Sequence, residues 1–180
     1  MIVVRCTRKL LQLLDGAPAD CVPDTTAALG DWYANVVETV AGDLIVFANE
    51  RSLLSVAIPV QMVDRLLTEF PARVYNLLRM IGVSTDVALR ECAELETVVL
   101  ARTKSRSVLG SLNEIALHYQ LVAERDSGRG TLSLSAVERQ LSRYLHGPLN
   151  YVHPADIAIA LLAERYGPSQ QENSEGSMPD

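Results

Sequence analysis

The chain contains 180 residues, of which 48% are hydrophobic, and it carries a net charge of −6. That length suits one domain, and the hydrophobic share can bury a core without disulfides or a metal ion. The acidic balance argues against extended contacts with nucleic acid, and no apolar run is long enough to span a membrane. The three cysteines and three histidines are scattered without metal-ligand spacing, so we expect no metal, no cofactor and a reducing, cytoplasmic location.

The first third of the chain is predicted to form a strand, a short helix and a meander of three strands. Residues 2–6 favour a strand, and Thr7 can cap a short helix that ends at Asp15 and Gly16. After a loop, the three strands are predicted at residues 32–40, 44–48 and 53–58, with polar turns between them. Because these connections are short, neighbouring strands should pair antiparallel.

Helical periodicity dominates the middle of the chain. The apolar spacing predicts helix over residues 63–81, with a break near Glu69 and Phe70 because Pro71 suits the first turn of a new helix. A weaker helix is predicted at residues 87–95, and a buried strand follows at residues 97–101.

Helices also dominate the last third. Capping boxes at residues 111–114 and 135–138 predict two helices that start in or just before them, the second ending at Gly147. Pro154 opens a last, unusually apolar helix over residues 154–166, and residues 167–180 are predicted to be a disordered acidic tail. The elements predict one α+β domain over residues 1–166. It has a small, mainly antiparallel sheet of about four to five strands, covered on one face by about five to six helices.

Four blocks of this sequence stand out: I-V-V-R-C-T-R-K-L at residues 2–10, L-G-D-W-Y-A-N at 29–35, F-A-N-E-R-S-L at 47–53 and R-S-V-L-G-S-L-N at 106–113. In order and spacing these blocks resemble a bacterial family catalogued as a domain of unknown function, number 6933. Ser52 stands where the family usually has threonine, and Leu112 where it has methionine. The resemblance implies a small cytoplasmic bacterial protein. Some members are fused to a domain like a plasmid or transposon passenger protein, so the resemblance also implies a link to mobile elements. It assigns no activity.

The last block supplies the first candidate site. A polar, glycine-bearing turn that leads into a helix can bind an anion through unpaired backbone N–H groups, with an arginine as a bidentate partner. Its spacing matches neither a P-loop nor a G-x-S-x-G motif. The alternative is structural, since serines also cap helices and glycine permits a tight turn. The candidate residues are Arg106, Ser107, Gly110, Ser111 and Asn113.

The second candidate site is the turn Asn49-Glu50-Arg51, with Asp31 and Asn35 on a neighbouring strand and with Arg5 of the first strand as a further candidate. A glutamate close to an aspartate can act as acid and base or bind a divalent cation. The alternative is that Asn49 fixes the hairpin and that Glu50 pairs with Arg5 or Arg51.

The sequence assigns no catalytic residue. The single tryptophan, Trp32, is predicted to lie in the core.

The favoured function is a non-enzymatic interaction or regulatory module linked to mobile elements, which binds a protein partner or self-associates through helix 154–166. The alternative is a binding protein or enzyme for a phosphorylated or carboxylated small molecule, held by residues 106–113. Nucleic-acid binding is the least favoured function because of the acidic balance. It would use two basic clusters that together could form an anion patch: Arg5, Arg8 and Lys9, and Arg102, Lys104 and Arg106.

Overall fold

The computed structural model describes residues 1–126, 132–145 and 147–167. The strands are β1 (Ile2–Cys6), β2 (Trp32–Val37), β3 (Leu44–Asn49), β4 (Ser55–Pro59) and β5 (Val98–Arg102). The helices are α1 (Arg8–Leu13), α2 (Leu66–Met80), α3 (Thr85–Glu94), α4 (Arg106–Asp126), α5 (Leu134–Leu141) and α6 (Pro154–Tyr166). Two 3-10 helices, Val60–Arg65 and Gly147–Leu149, complete the described elements.

The five strands form one sheet in the order β4-β3-β2-β1-β5. The predicted meander is confirmed, since β2, β3 and β4 pair antiparallel. Strand β1 is parallel to both of its neighbours, β2 and β5. The α+β class is thus confirmed, while the sheet is mixed, not mainly antiparallel. A parallel pair needs a long crossover, and α1 with the following loop supplies one between β1 and β2.

Helices cover both faces of the sheet, not one as expected. Helices α2, α3 and α6 share a core with Trp32 and Phe47 on the first face, while α4 and α5 pack on Tyr33 and Val46 on the second. The reason is visible in the strands, because every residue of β1 and of β3 is buried. A sheet with only one covered face would instead alternate buried and exposed positions.

Helix α2 runs without interruption through Pro71, so the predicted break near Glu69 and Phe70 is wrong. The buried Phe70 explains why the helix continues through this position. Its ring stacks on Phe47 at a centroid distance of 4.4 Å and meets the fully buried Trp32 edge-on at 5.3 Å. These contacts hold the helix against the sheet, and they confirm Trp32 as a core residue.

Helix α4 begins five residues before the predicted capping box. Ser105 caps it, because its Oγ accepts a hydrogen bond from the Val108 amide at 3.3 Å and its carbonyl accepts one from Leu109 at 3.2 Å. Ser111 is therefore a buried residue of the second turn, not a cap. In α5, similarly, Glu138 turns inward and accepts a hydrogen bond from an edge-strand amide, and that helix ends at Leu141, well before Gly147.

Helix α6 occupies the predicted residues 154–166 and docks on α3. Its inward residues Ala155, Ala158 and Leu162 are buried, and its last residue, Tyr166, donates a hydrogen bond to the carboxylate of Glu91 at 2.9 Å. No helix in the described ranges is long and apolar enough to cross a membrane. The tail from residue 168 onward, predicted to be disordered, lies outside the described residues.

Candidate functional site

The two basic clusters of the sequence meet at the carboxyl ends of β1 and β5. These strands are parallel neighbours in which Cys6 pairs with Arg102, so the residues after each strand leave from the same edge of the sheet. Helix α1 then packs on the first face and α4 on the second. The clusters brought to this edge are Arg5, Arg8 and Lys9, and Arg102, Lys104 and Arg106.

A buried ion pair joins Arg5 to Asp31 at this edge. Arg5 Nε donates to Asp31 Oδ2 at 2.6 Å, and the two residues are 8% and 7% exposed. Arg5 also donates through Nη1 to the carbonyl of Arg102 at 3.3 Å. The charge of each side chain is thus compensated inside the protein, and a structural role is sufficient to explain the pair.

Lys104 connects this pair to Glu50. Its Nζ lies 3.4 Å from Asp31 Oδ2 and 3.7 Å from Glu50 Oε2. The predicted alternative in which Glu50 pairs with Arg5 or Arg51 is therefore wrong. The ammonium group also stands between the two carboxylates that the sequence suggested as an acid–base pair or a cation site.

Tyr33 fixes the start of α4 from the sheet below. Its hydroxyl accepts a hydrogen bond from the Ser105 amide at 3.1 Å. Burial raises the pKa of Tyr33, and the negative charge of Glu50 raises it further. The phenol therefore stays protonated near neutral pH, with its lone pairs available to the helix N-terminus. Sequence reasoning missed this role because the two residues are 72 positions apart.

Asn49 is a structural residue of the turn between β3 and β4. Its Oδ1 accepts hydrogen bonds from the amides of Arg51 and Ser52 and from the Ser52 hydroxyl, at 3.2, 2.9 and 2.8 Å. Its Nδ2 donates to the carbonyls of Leu29 and Asp31 at 3.0 and 3.2 Å. The buried amide group is fully used, so two of the four family blocks interlock here as a folding device.

The remaining candidate residues lie on α4, apart from the network of Arg5 and Asp31. Because the block is helical throughout, Gly110 is not part of a turn. Asn113 also lies seven residues from Arg106, about 10 Å along the axis. The structure therefore does not gather the block around one cleft. Ser111 faces the core, and the exposed members are Arg106, Ser107, Gly110 and Asn113.

A cleft of about 840 Å³ opens beside the network, between α1, the loop at residues 15–18 and the end of β5. Burial raises the pKa of the Cys6 thiol in this cleft to about 12, so the thiol is protonated at neutral pH. In the described part of the chain, no three His, Cys, Asp or Glu residues are grouped as they would be to hold a metal ion. The charged and hydrogen-bonding side chains of the lining are those of Arg8, Gln12, Asp15, Arg102 and Thr103.

The sequence analysis suggested that the two basic clusters could form one anion patch, but it did not predict this cleft. Arg8 and Arg102 belong to those clusters, and each stands within about two residues of a predicted strand end. Parallel neighbours place such residues together, but the parallel pairing of β1 with β5 was not predicted. Lys104 was noted as basic, and its place next to Asp31 depends on the same pairing.

A family model covers most of the chain. The family described as "Domain of unknown function (DUF6933)" matches residues 3–157, a range that includes nearly all of the four sequence blocks. The search of curated proteins and the search of solved structures each returned no match. The chain therefore belongs to the DUF6933 family.

Proposed function

We propose that this protein is an interaction module that pairs with a second copy of itself through the outer face of α4. One observation carries the proposal: the exposed side chains of this face are arranged symmetrically about Gly110. Arg106 and Ser107 lie four and three residues before it, and Asn113 and Glu114 lie three and four residues after it. Every member of this set is exposed.

Gly110 supports a contact that the isolated chain does not make. A glycine inside a helix costs about 1 kcal/mol relative to alanine. Here that cost has no explanation within the described fold, because a Cβ at Gly110 would meet nothing within 4 Å, and the backbone does not adopt a positive φ there. A helix that crosses at this point can approach most closely when the side chain is absent.

The charges on the two sides of Gly110 are complementary. If two copies of α4 cross antiparallel at Gly110, Arg106 of each copy faces Glu114 of the other, and Ser107 faces Asn113. Two-fold symmetry forms each contact twice. Within one chain the two charged residues are eight positions apart, about 12 Å along the helix, which is too far for an ion pair. Neither has an ion-pair partner among the described residues.

Apolar side chains continue the same surface toward the C-terminus of α4. Leu117 and Leu121 are each 52% exposed. Next to them the ring of His118 meets that of Tyr144 at 4.6 Å, which brings the segment after α5 into the surface. An apolar end beside a polar crossing point gives the surface the mixed character that protein interfaces commonly have.

Helix 154–166, the first candidate for self-association, is less suitable. Its apolar character is largely explained by packing on α3 within the first core, and Ile159 is its most exposed large apolar side chain at 37%. Association through that helix, a role without catalysis, a cytoplasmic location and the link to mobile elements stay predictions.

Charge reversal tests the pairing directly. Sedimentation equilibrium of the full chain should show a monomer–dimer equilibrium. Arg106→Glu and Glu114→Arg should each raise the dissociation constant at least about tenfold, because each places two pairs of like charges across the interface. The double variant R106E/E114R should recover dimerisation, since it restores opposite charges at both contacts.

Two further variants complete the test. Glu96→Arg is the control, because it makes the same charge change as Glu114→Arg at an exposed position after α3. It should leave the monomer–dimer equilibrium unchanged. Gly110→Ala should weaken the dimer while raising the unfolding free energy of the dilute monomer by about 1 kcal/mol. A wild-type chain that is monomeric at every concentration, or a double variant no better than the single ones, would refute the pairing.

A further inference from the structure

We infer a second site, independent of the α4 surface: the cleft at the carboxyl ends of β1 and β5 binds a small organic phosphate that carries hydroxyl groups. Its volume of about 840 Å³ lies in the range of small-molecule sites. The residues on which the inference depends are Arg8, Gln12, Asp15, Arg102 and Thr103.

The topology places the cleft where sheets with parallel strands bind ligands. Strands β1 and β5 are parallel neighbours, and the helices that follow them cover opposite faces of the sheet. The two connections therefore diverge and leave a crevice outside the carboxyl ends of the strands. In open sheets such crevices are the usual ligand sites. Here the crevice lies between α1, which follows β1, and Thr103, which follows β5.

Two arginines in the cleft have no ion-pair partner in the described part of the chain. Three other basic residues of this edge are paired with carboxylates: Arg5 with Asp31 at 2.6 Å, Lys9 with Glu38 at 2.6 Å, and Lys104 with Asp31 at 3.4 Å. Arg8 and Arg102 are exposed, form no ion pair within the described residues and line the same cavity. Guanidinium groups bind phosphate oxygens through pairs of parallel hydrogen bonds, so two of them favour a phosphoryl group over a single carboxylate.

The rest of the lining indicates what else the ligand carries. The Gln12 amide and the Thr103 hydroxyl can both donate and accept hydrogen bonds, whereas the Asp15 carboxylate only accepts them. A carboxylate beside two arginines disfavours a ligand that is anionic throughout, and it suits the hydroxyl groups of a sugar. Burial keeps the Cys6 thiol protonated at neutral pH, so it is not a thiolate nucleophile there.

Calorimetric titration of the full chain with ribose 5-phosphate at low ionic strength tests the inference. Ribose serves as the probe without phosphate, and inorganic phosphate as the probe without sugar. Ribose 5-phosphate should bind more tightly than either. Arg8→Ala and Arg102→Ala should each weaken its binding at least about tenfold, because each removes a charge-assisted contact. Circular dichroism checks that both variants fold.

Arg106→Ala is the matched control, since it removes the same charge from a nearby exposed arginine that does not line the cleft. It should leave ribose 5-phosphate binding nearly unchanged, while it weakens self-association. No binding of ribose 5-phosphate by the wild-type chain, equal binding of ribose, or equal losses in all three arginine variants would each overturn the inference. Because the readouts differ, failure of the α4 pairing leaves this result unaffected, and the reverse also holds.

Discussion

Replacing Glu91 should strongly destabilise the first face of the sheet. Its carboxylate is fully buried and accepts three hydrogen bonds, each 2.9 Å long. Two come from the amides of Ala28 and Leu29, which lie in the long connection before β2, and the third comes from the Tyr166 hydroxyl. One side chain of α3 thus holds both that connection and the end of α6.

The expected loss of unfolding free energy follows from the hydrogen-bonding groups that each substitution leaves without a partner. Glu91→Ala leaves two buried amides without acceptors, at about 1–3 kcal/mol each, and removes the bond from Tyr166, worth about 1 kcal/mol. Release of a buried negative charge offsets part of this loss, so we expect about 3–5 kcal/mol in total. Tyr166→Phe removes the third bond alone and should reduce stability by about 1 kcal/mol.

Equilibrium unfolding in urea measures these differences. Glu96→Ala, at an exposed position just after α3, is the control and should change the unfolding free energy by less than about 0.5 kcal/mol. The double variant E91A/Y166F should be no less stable than E91A, because the Tyr166 hydroxyl has already lost its acceptor. A Glu91→Ala chain no less stable than Tyr166→Phe would refute the anchoring role.

Two further predictions concern the other buried carboxylates. Asp31→Asn should lower the unfolding free energy by about 3 kcal/mol, because it leaves the buried Arg5 guanidinium without its counter-ion. Lys104→Ala should lower it by less than about 1 kcal/mol, since Lys104 is half exposed. Equal losses of the two variants in urea unfolding would contradict this ranking. Burial raises the pKa of Glu138 above its ordinary value of 4.5. At pH values above 4.5 the folded chain therefore binds more protons at this group than the unfolded chain does. Glu138 should then lower the unfolding free energy as the pH rises above 4.5. Glu138→Gln can still accept the hydrogen bond from the Ala57 amide, and it should remove this pH-dependent loss of stability. Parallel profiles of unfolding free energy against pH for the wild-type chain and the variant would exclude a contribution of Glu138.

Local patterns predicted those elements whose ends depend on neighbouring residues. Thr7 accepts from the Leu10 amide at 3.4 Å as a cap should, and α6 begins at Pro154 as predicted. The start of α4 was misplaced because the capping-box spacing at residues 111–114 indicated the helix start, although serines also stand at positions 105 and 107. Ser105 is the cap in the fold, and the Tyr33 hydroxyl holds its amide from the sheet. That contact comes from a distant strand, so no local rule selects Ser105 over Ser111.

The candidate site depends on information of another kind. Which residues share one edge of a sheet is decided by strand order, and strand order is decided by the packing of all the elements together. Strand β1 lies between β2 and β5, although β5 follows it only after three other strands and three α-helices. The basic residues of both clusters were therefore visible in the sequence, but their meeting required the parallel pairing of Cys6 with Arg102.

The same reasoning explains why the family blocks do not all mark one site. Asn49 and Asp31 are needed where two blocks interlock beneath the surface, and their hydrogen bonds are satisfied there. Gly110 and Asn113 have no such role, since both lie on the exposed face of a helix that is already capped by Ser105. A buried, hydrogen-bonded side chain stabilises the fold, whereas an exposed glycine in a helix makes the isolated chain less stable. The exposed residues of the block on α4, unlike its buried Ser111 and Leu112, are therefore a part of the family pattern that folding leaves unexplained, and a partner is the simplest physical reason for them.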